Sequence, residues 1–210
     1  MAGHAPASAM NSERTFRLAF WALVGLTILM RIWFAIRVRR AGERLLPDKA
    51  AIRREGWRIY AFRLSVFLLL IALIILLARN LNWRPKLSFP LPFWLRWAGV
   101  AWGLASLALW TWTHVALGTL WSPQLQLRTN HRLVTCGPYS QIRHPMYTAV
   151  VAWVTSLGLV IANWVPILFA ASVVVIFVTR VPHEEQMMLE RFGDEYRDYM
   201  KRTGRFLPRW

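Results

Sequence analysis

With 210 residues, 56% of them hydrophobic, 13 tryptophans and a mean hydropathy of +0.34, the chain is too apolar for an ordinary soluble domain of its length. A net charge of +16 raises the question of nucleic acid. The basic residues, however, fall between apolar runs, and no module of stacking aromatics interleaves them. Anionic lipid and the cytoplasmic bias of Lys and Arg produce the same pattern. The chain therefore reads as a membrane protein with membrane lipid as a partner and no nucleic acid. Its one cysteine, Cys136, cannot form an internal disulfide, so compartment has to follow from topology.

Five apolar runs are candidate spans: about Leu18 to Val38, Ala61 to Ala78, Phe93 to Leu117, Tyr147 to Ala162, and Val165 to Thr179. The first resembles a signal peptide, but it carries Arg31 and lacks a small-x-small cleavage site before the Arg37 to Arg40 cluster, so it is read as a retained span. One crossing of the hydrocarbon takes about 20 residues. The last two runs fall short of that and are predicted as a tight hairpin broken at Asn163-Trp164-Val165-Pro166. Beyond them, Met188, Leu189, Phe192, Tyr196 and Tyr199 recur at three- and four-residue steps. That spacing predicts an amphipathic helix from Glu184 to about Met200, with Pro182 in its first turn. The predicted fold is an all-α integral membrane protein of about five transmembrane helices, the last two a short helical hairpin, followed by a C-terminal cytoplasmic amphipathic helix. Residues 1–117 form the N-terminal spans and residues 118–210 the region that carries chemistry.

Orientation follows from the loops. Arg37, Arg39, Arg40, Arg44, Lys49, Arg53, Arg54 and Arg58 crowd the first connection, whereas the second carries only Arg79, Arg84 and Lys86. The first loop is predicted to be cytoplasmic and the N-terminus outside. Alternation then puts the Arg128 to Arg143 loop and the tail from Arg180 at that same face. A multi-pass protein of a bacterial inner membrane suits this arginine-rich chain.

The ionisable and aromatic residues of those two segments are the candidates for chemistry. Tyr139, Arg143, His144 and Tyr147 fall within nine residues, where Pro145 keeps His144 out of helical geometry and opens a helix. Free backbone N–H groups and a positive dipole end are expected there. With the aromatic faces, these are the parts that hold a nucleoside with an attached carboxylate. On the last predicted helix Glu185 shares a stripe with Leu189 and Phe192, and Glu184 sits above Met188, so at least one carboxylate faces the interior and needs a partner, for which a cationic ligand would serve. Plainer readings stand beside these. The glutamates also complement a helix dipole, Arg143 can be an interfacial arginine, and Arg180 can cap the last span. His114, His131, His144 and His183 lack the paired spacing of a zinc site, and no metal is expected.

Two motifs together carry a resemblance. The first is His131-x-Leu133-Val134-x-x-Gly137-Pro138-Tyr139-x-x-x-Arg143-His144-Pro145-x-Tyr147. The second is Glu184-Glu185-x-x-x-Leu189-x-x-Phe192-Gly193-x-x-Tyr196-x-x-Tyr199, closed by Arg205-Phe206-Leu207-Pro208. From about Gly118 to Pro208 the chain resembles the isoprenylcysteine carboxyl methyltransferase family, within a wider set of membrane methyltransferases that includes phospholipid N-methyltransferases. The resemblance implies that S-adenosylmethionine is held by His131, Val134, Tyr139, His144, Pro145, Met146, Tyr147 and Glu184, with Glu185 beside them. It also implies a glutamine from the preceding loop, Gln126 or its neighbour Gln124. Arg180 matches a family arginine at the substrate, where it is the residue expected to pair with the accepting carboxylate, and Arg143 is a second candidate there. One departure is Ala149, where the family often has glycine; its methyl bears on helix packing or on the lipid entrance.

Transfer of a methyl group from a sulfonium to a carboxylate or thiolate joins opposite charges, so a low-dielectric site favours it. A carboxylate needs no general base, whereas an amine does, and His144 or Glu185 would then be nearest. The acceptors rank as a prenylated or otherwise lipophilic carboxylate, then a phospholipid amine, then a small thiol. Two other classes stay open: an NADPH-dependent membrane reductase of similar helical architecture, and a non-enzymatic subunit or transporter that binds an anion through Arg31, Arg63 and Arg180.

Overall fold

A computed structural model describes residues 7–41, 87–118 and 133–209, with a few scattered residues between 57 and 68. Regular structure among them is helical: α1 (Ala7–Arg40), α2 (Phe93–Leu117), a 3-10 turn (Gly137–Ser140), α3 (Pro145–Ile161), α4 (Trp164–Phe192) and α5 (Asp194–Arg202). The stretches Asn11–Arg40, Phe93–Leu117 and Trp164–Phe192 are long and apolar enough to cross a membrane, and α3 is a shorter apolar helix. The chain is an all-α integral membrane protein. Most of the predicted second span, Arg63 included, lies outside the described residues.

Local chemistry sets the helix ends. Pro92 precedes α2, and Gly118 closes it at φ 54°, where a side chain would be strained. His144 stands at the N-cap of α3 in non-helical geometry (φ −123°, ψ 55°), with Pro145 at the first helical position. Two residues join α3 to α4: Ala162, left-handed at φ 49°, and Asn163, whose side chain accepts from the Val165 N–H at 2.9 Å. A tight hairpin thus forms where the sequence predicts one.

Its second arm differs from expectation. The predicted arm stops at Thr179 and a new helix starts near Glu184, whereas α4 runs unbroken to Phe192 with Pro182 inside it. A mid-helix proline forfeits one backbone hydrogen bond and costs about 3 kcal/mol in an isolated helix. Burial of Arg180, Val181 and Glu185 on both sides of it holds the helix together. The break falls instead at Gly193, φ 54°, after which α5 begins. At 1.5 Å per residue α4 is about 43 Å long, more than a hydrocarbon core of about 30 Å. Its last turns therefore carry ionisable residues past the apolar layer.

Packing explains how those turns are placed. Gly99 and Gly103 of α2 let its backbone lie against α3: a Cβ on Gly99 would fall 2.8 Å from Leu159 Cβ and 3.2 Å from the Val160 nitrogen, and one on Gly103 would fall 2.8 Å from Ser156 Oγ. In lipid, where apolar burial discriminates little between helices, such close approach is a main source of helix association. The core that forms includes Phe16, Phe20 and Leu23 of α1, Trp110 of α2, Trp153 and Leu157 of α3, and Phe169 and Val173 of α4. Ala149 is fully buried in that core, so its methyl belongs to helix packing. Leu18, Leu29, Trp94, Trp102, Leu168 and Val178 face outward, as lipid-facing side chains do. Arg31 reaches over the Trp110 ring, 5.9 Å from its centroid. At the far end, Arg96 donates to the Val160 carbonyl at 3.0 Å, pairs with Glu13 of α1 and lies over the Phe16 ring at 3.9 Å. This pin ties three helices together at the end opposite the polar one.

Replacing Gly99 with leucine should overpack the α2–α3 contact and cost about 1–3 kcal/mol. Thermal unfolding in detergent would show this as a lowered midpoint, and an unchanged midpoint would contradict the close approach.

Candidate functional site

The start of α3, the end of α4 and the segment after α5 converge at one end of the bundle. Glu184 and Glu185 are adjacent on α4 and point into different surroundings. Glu184 Oε1 accepts from Tyr147 Oη at 2.6 Å and from Arg180 Nε at 2.7 Å, one helical turn back. Its Oε2 lies 3.6 Å from His144 Nδ1, and its side chain keeps 21% of its exposure. Glu185 is buried, with 5% exposure. Its Oε1 accepts from Arg143 Nε at 2.9 Å and Arg205 Nε at 3.3 Å, and its Oε2 from Arg205 Nη2 at 2.5 Å. His144 Nε2 stands 3.4 Å from Glu185 Oε1, so the imidazole sits between the two carboxylates.

The aromatic rings are packed against the protein itself. Tyr147 stacks on Phe177 at 3.9 Å between centroids and on His144 at 5.5 Å, with interplanar angles of 9° and 10°. Tyr147 thus stacks on the protein's own rings and directs its hydroxyl to Glu184, rather than offering the free stacking face expected from the sequence. Tyr139, in the 3-10 turn, is buried, and its carbonyl accepts from Tyr199 Oη at 2.7 Å.

The helix start differs from expectation too. The Arg143 N–H donates to the Gly204 carbonyl at 2.8 Å and the His144 N–H to the Arg205 carbonyl at 3.0 Å; the Gly204 N–H returns to the Gln141 carbonyl at 3.0 Å. Tyr147 and Thr148 donate to the His144 carbonyl, and Thr148 Oγ1 to the Phe206 carbonyl at 2.6 Å. Amides expected to be free for an anion are therefore occupied by the chain's own C-terminal segment. Arg143, expected at a substrate anion, is nine-tenths buried and donates to Glu185, to the Met200 carbonyl at 3.1 Å and to the Thr203 carbonyl.

The structure thus brings Tyr139, Arg143, His144, Pro145, Met146, Tyr147, Arg180, Glu184 and Glu185 to one end of the molecule. Val134 lies partly buried in the loop before the 3-10 turn. Gln126 and His131 lie outside the described residues. Arg205, Gly204 and Thr203 join the cluster without having been singled out for it. The only sequence signal for them was the closing Arg205-Phe206-Leu207-Pro208 of the second motif. Among the described residues no group of three His, Cys, Asp or Glu side chains is placed to hold a metal.

A buried Glu–Arg–His cluster at the mouth of a helical hairpin, in a chain with three membrane-length helices, defines a polytopic membrane protein with a polar site at one face. Residues 100–190 match the model of the isoprenylcysteine carboxyl methyltransferase family. Protein-S-isoprenylcysteine O-methyltransferase B of Arabidopsis thaliana is 31% identical over 86 residues, 40% of this chain and 44% of that one. The nickel-cobalt-cadmium resistance protein NccN of Alcaligenes xylosoxydans xylosoxydans is 34% identical over 101 residues, 46% of each chain. The solved structure of the eukaryotic intramembrane Ras methyltransferase ICMT superposes with a TM-score of 0.51 at 27% identity, over 55% of this chain and 42% of that one. Over residues 100–190 the chain is thus similar to the isoprenylcysteine carboxyl methyltransferase family. The chain spans less than half the length of each of these relatives.

Burial pushes the Tyr199 hydroxyl up to about 12, against the partly offsetting charge of Arg143, so it donates to Tyr139 throughout the neutral range. An unfolded tyrosine ionises near 10. The stability from this shift is fully present below about pH 10 and is lost as pH rises toward 12. Tyr199→Phe should cost about 1–3 kcal/mol near neutrality by leaving a buried carbonyl unpaired, and should lose less further stability than the wild type between about pH 10 and 12. Alkaline unfolding followed by circular dichroism checks both, and parallel curves would contradict them.

Proposed function

We propose that the protein is an integral membrane methyltransferase that uses S-adenosylmethionine to methylate the carboxyl of an isoprenylcysteine-like, lipid-borne acceptor. The observation that carries this reading is the Arg180–Glu184 pair with Tyr147 and His144 on the same carboxylate, within the stretch that matches this family's model. S-adenosylmethionine carries an ammonium and a sulfonium charge, and the partly exposed Glu184 carboxylate is a complementary partner for them. On that ground the residues fit the cofactor.

Glu184, His144 and Tyr147, with Val134, Tyr139, Pro145, Met146 and the loop residues Gln126 and His131, form the cofactor side, and Arg180 takes the accepting carboxylate. Glu185 belongs to the cofactor site through His144. When bound, the cofactor supplies an electrophilic methyl group. The chain's own task is to align the acceptor, exclude water and hold opposite charges in a medium where their attraction is weakly screened. The acceptor carboxylate enters ionised, so no side chain has to remove a proton. Residues 118–210 form the catalytic region, with α2 as its packing partner. The site opens at the cytoplasmic face of a bacterial inner membrane, where the basic loops and a soluble cofactor pool meet.

Methyl transfer from labelled S-adenosylmethionine to a farnesylcysteine carboxylate in proteoliposomes tests this. Wild-type protein should label the carboxylate, while Glu184→Ala and His144→Ala should reduce kcat/KM at least about a hundredfold, as loss of groups that align reactants does. Labelling undiminished in both variants would overturn the site, and labelling of a phospholipid amine alone would overturn the acceptor.

A further inference from the structure

The adjacent glutamates of α4 have different neighbours, and the difference gives the C-terminal segment a role. Glu184 faces the partly open side, toward Tyr147 and Arg180. Glu185, the next residue round the helix, is gripped by residues on two segments, Arg143 before α3 and Arg205 after α5. His144 bridges them, with Nδ1 3.6 Å from Glu184 and Nε2 3.4 Å from Glu185. Neither contact is short enough to fix the imidazole alone. Stacking on Tyr147 and the backbone place the ring, and the Glu185 carboxylate sets what its Nε2 edge meets.

We propose that Arg205 is a positioning residue: through Glu185 it sets the His144 imidazole against Glu184, which makes residues 203–206 a working part of the site. Arg205 spans the Glu185 carboxylate with Nε on Oε1 at 3.3 Å and Nη2 on Oε2 at 2.5 Å. The terminal torsion of a glutamate is broad and nearly two-fold. Without Arg205, the carboxylate keeps its one contact to Arg143 on Oε1, the oxygen that faces His144, and can pivot about it as Oε2 is released, so the plane it presents to the imidazole is no longer fixed. The Arg205 side chain is 47% exposed, and a half-exposed ion pair is screened and contributes little to stability. Its removal should therefore disturb geometry far more than folding. The backbone supports the same segment independently, through the parallel bridge of Ile142 with Gly204 and the His144 N–H to the Arg205 carbonyl. A side-chain substitution at Arg205 leaves that bridge in place.

The activity side of this inference rests on the proposed function; the placement of the imidazole does not. The test is the imidazole nitrogen spectrum of 15N-histidine-labelled full-length protein in detergent, with the His144 signals identified by their loss in His144→Ala, read beside KM and kcat for S-adenosylmethionine. Arg205→Met should move the His144 signals and raise KM about tenfold or more with a smaller change in kcat, at a nearly unchanged melting temperature. Arg205→Lys, which keeps the charge but not the two-pronged contact, should restore part of both. Gly204→Ala, whose Cβ would fall 1.8 Å from the Leu207 carbonyl oxygen, should reproduce the effect by prising the segment loose with no change of charge. His144 signals at their wild-type positions in both Arg205 variants would overturn the proposal. If Arg205→Met does not fold, the Arg205→Lys spectrum decides alone, a shift supporting the proposal and no shift overturning it. Shifted signals in a protein that transfers no methyl group would uphold the placement and remove the proposed function instead.

Discussion

Glu185 carries a charge into a place with almost no access to water, and the polar end of the molecule is arranged around it. A carboxylate removed from solvent costs several kcal/mol unless cations and hydrogen bonds replace its hydration. Arg143 and Arg205 supply those, one from before α3 and one from after α5, and His144 stands at the same oxygen as Arg143. Because Glu185 and these partners come from three separate segments, satisfying one carboxylate closes the C-terminal segment over the start of α3. Removing Arg143, the buried partner, would leave the carboxylate poorly compensated and so destabilise the fold, whereas the half-exposed Arg205 bears on its orientation more than on stability.

That closure fixes the two residues whose chemistry the proposed function uses. His144 is held at the N-terminal end of α3 by Pro145 and by a backbone bond to Arg205. Glu184 is held by Arg180, one turn back along α4, and by the hydroxyl of a Tyr147 ring wedged between Phe177 and His144. Behind them, the close approach of α2 to α3 at Gly99 and Gly103 and the Arg96–Glu13 pin at the far end give the hairpin a rigid backing. A reaction that joins a sulfonium to a carboxylate gains from such a setting, since weak screening strengthens the attraction that brings the groups together.

Much of this was legible in the sequence, and the rest was hidden for physical reasons. Apolar runs marked α1, α2 and the hairpin, because membrane spans are written in composition. The His144-Pro145 pair marked the start of α3, because proline's effect on its neighbour is local. The spacing of Glu184 and Glu185 against Leu189 and Phe192 indicated at least one buried carboxylate, and Glu185 is buried. What local pattern does not contain is the return of residues 203–206 onto residues 141–144, a contact about sixty residues apart in the chain. Without it the amides before α3 read as free and Arg143 as available to a substrate, whereas both are taken up inside the protein. Pro182 misled for a different reason: packing around Arg180, Val181 and Glu185 outweighs a local preference to end the helix. The Gly99-x-x-x-Gly103 spacing was readable as a close-packing motif and went unused.

Calorimetric titration of the detergent-purified protein with S-adenosylmethionine and, separately, with NADPH bears most directly on what this arrangement is for. Saturable binding of S-adenosylmethionine, weakened by Glu184→Ala and absent for NADPH, is the result expected of a methyltransferase site built on Glu184. Binding of NADPH alone, or of neither, would contradict it.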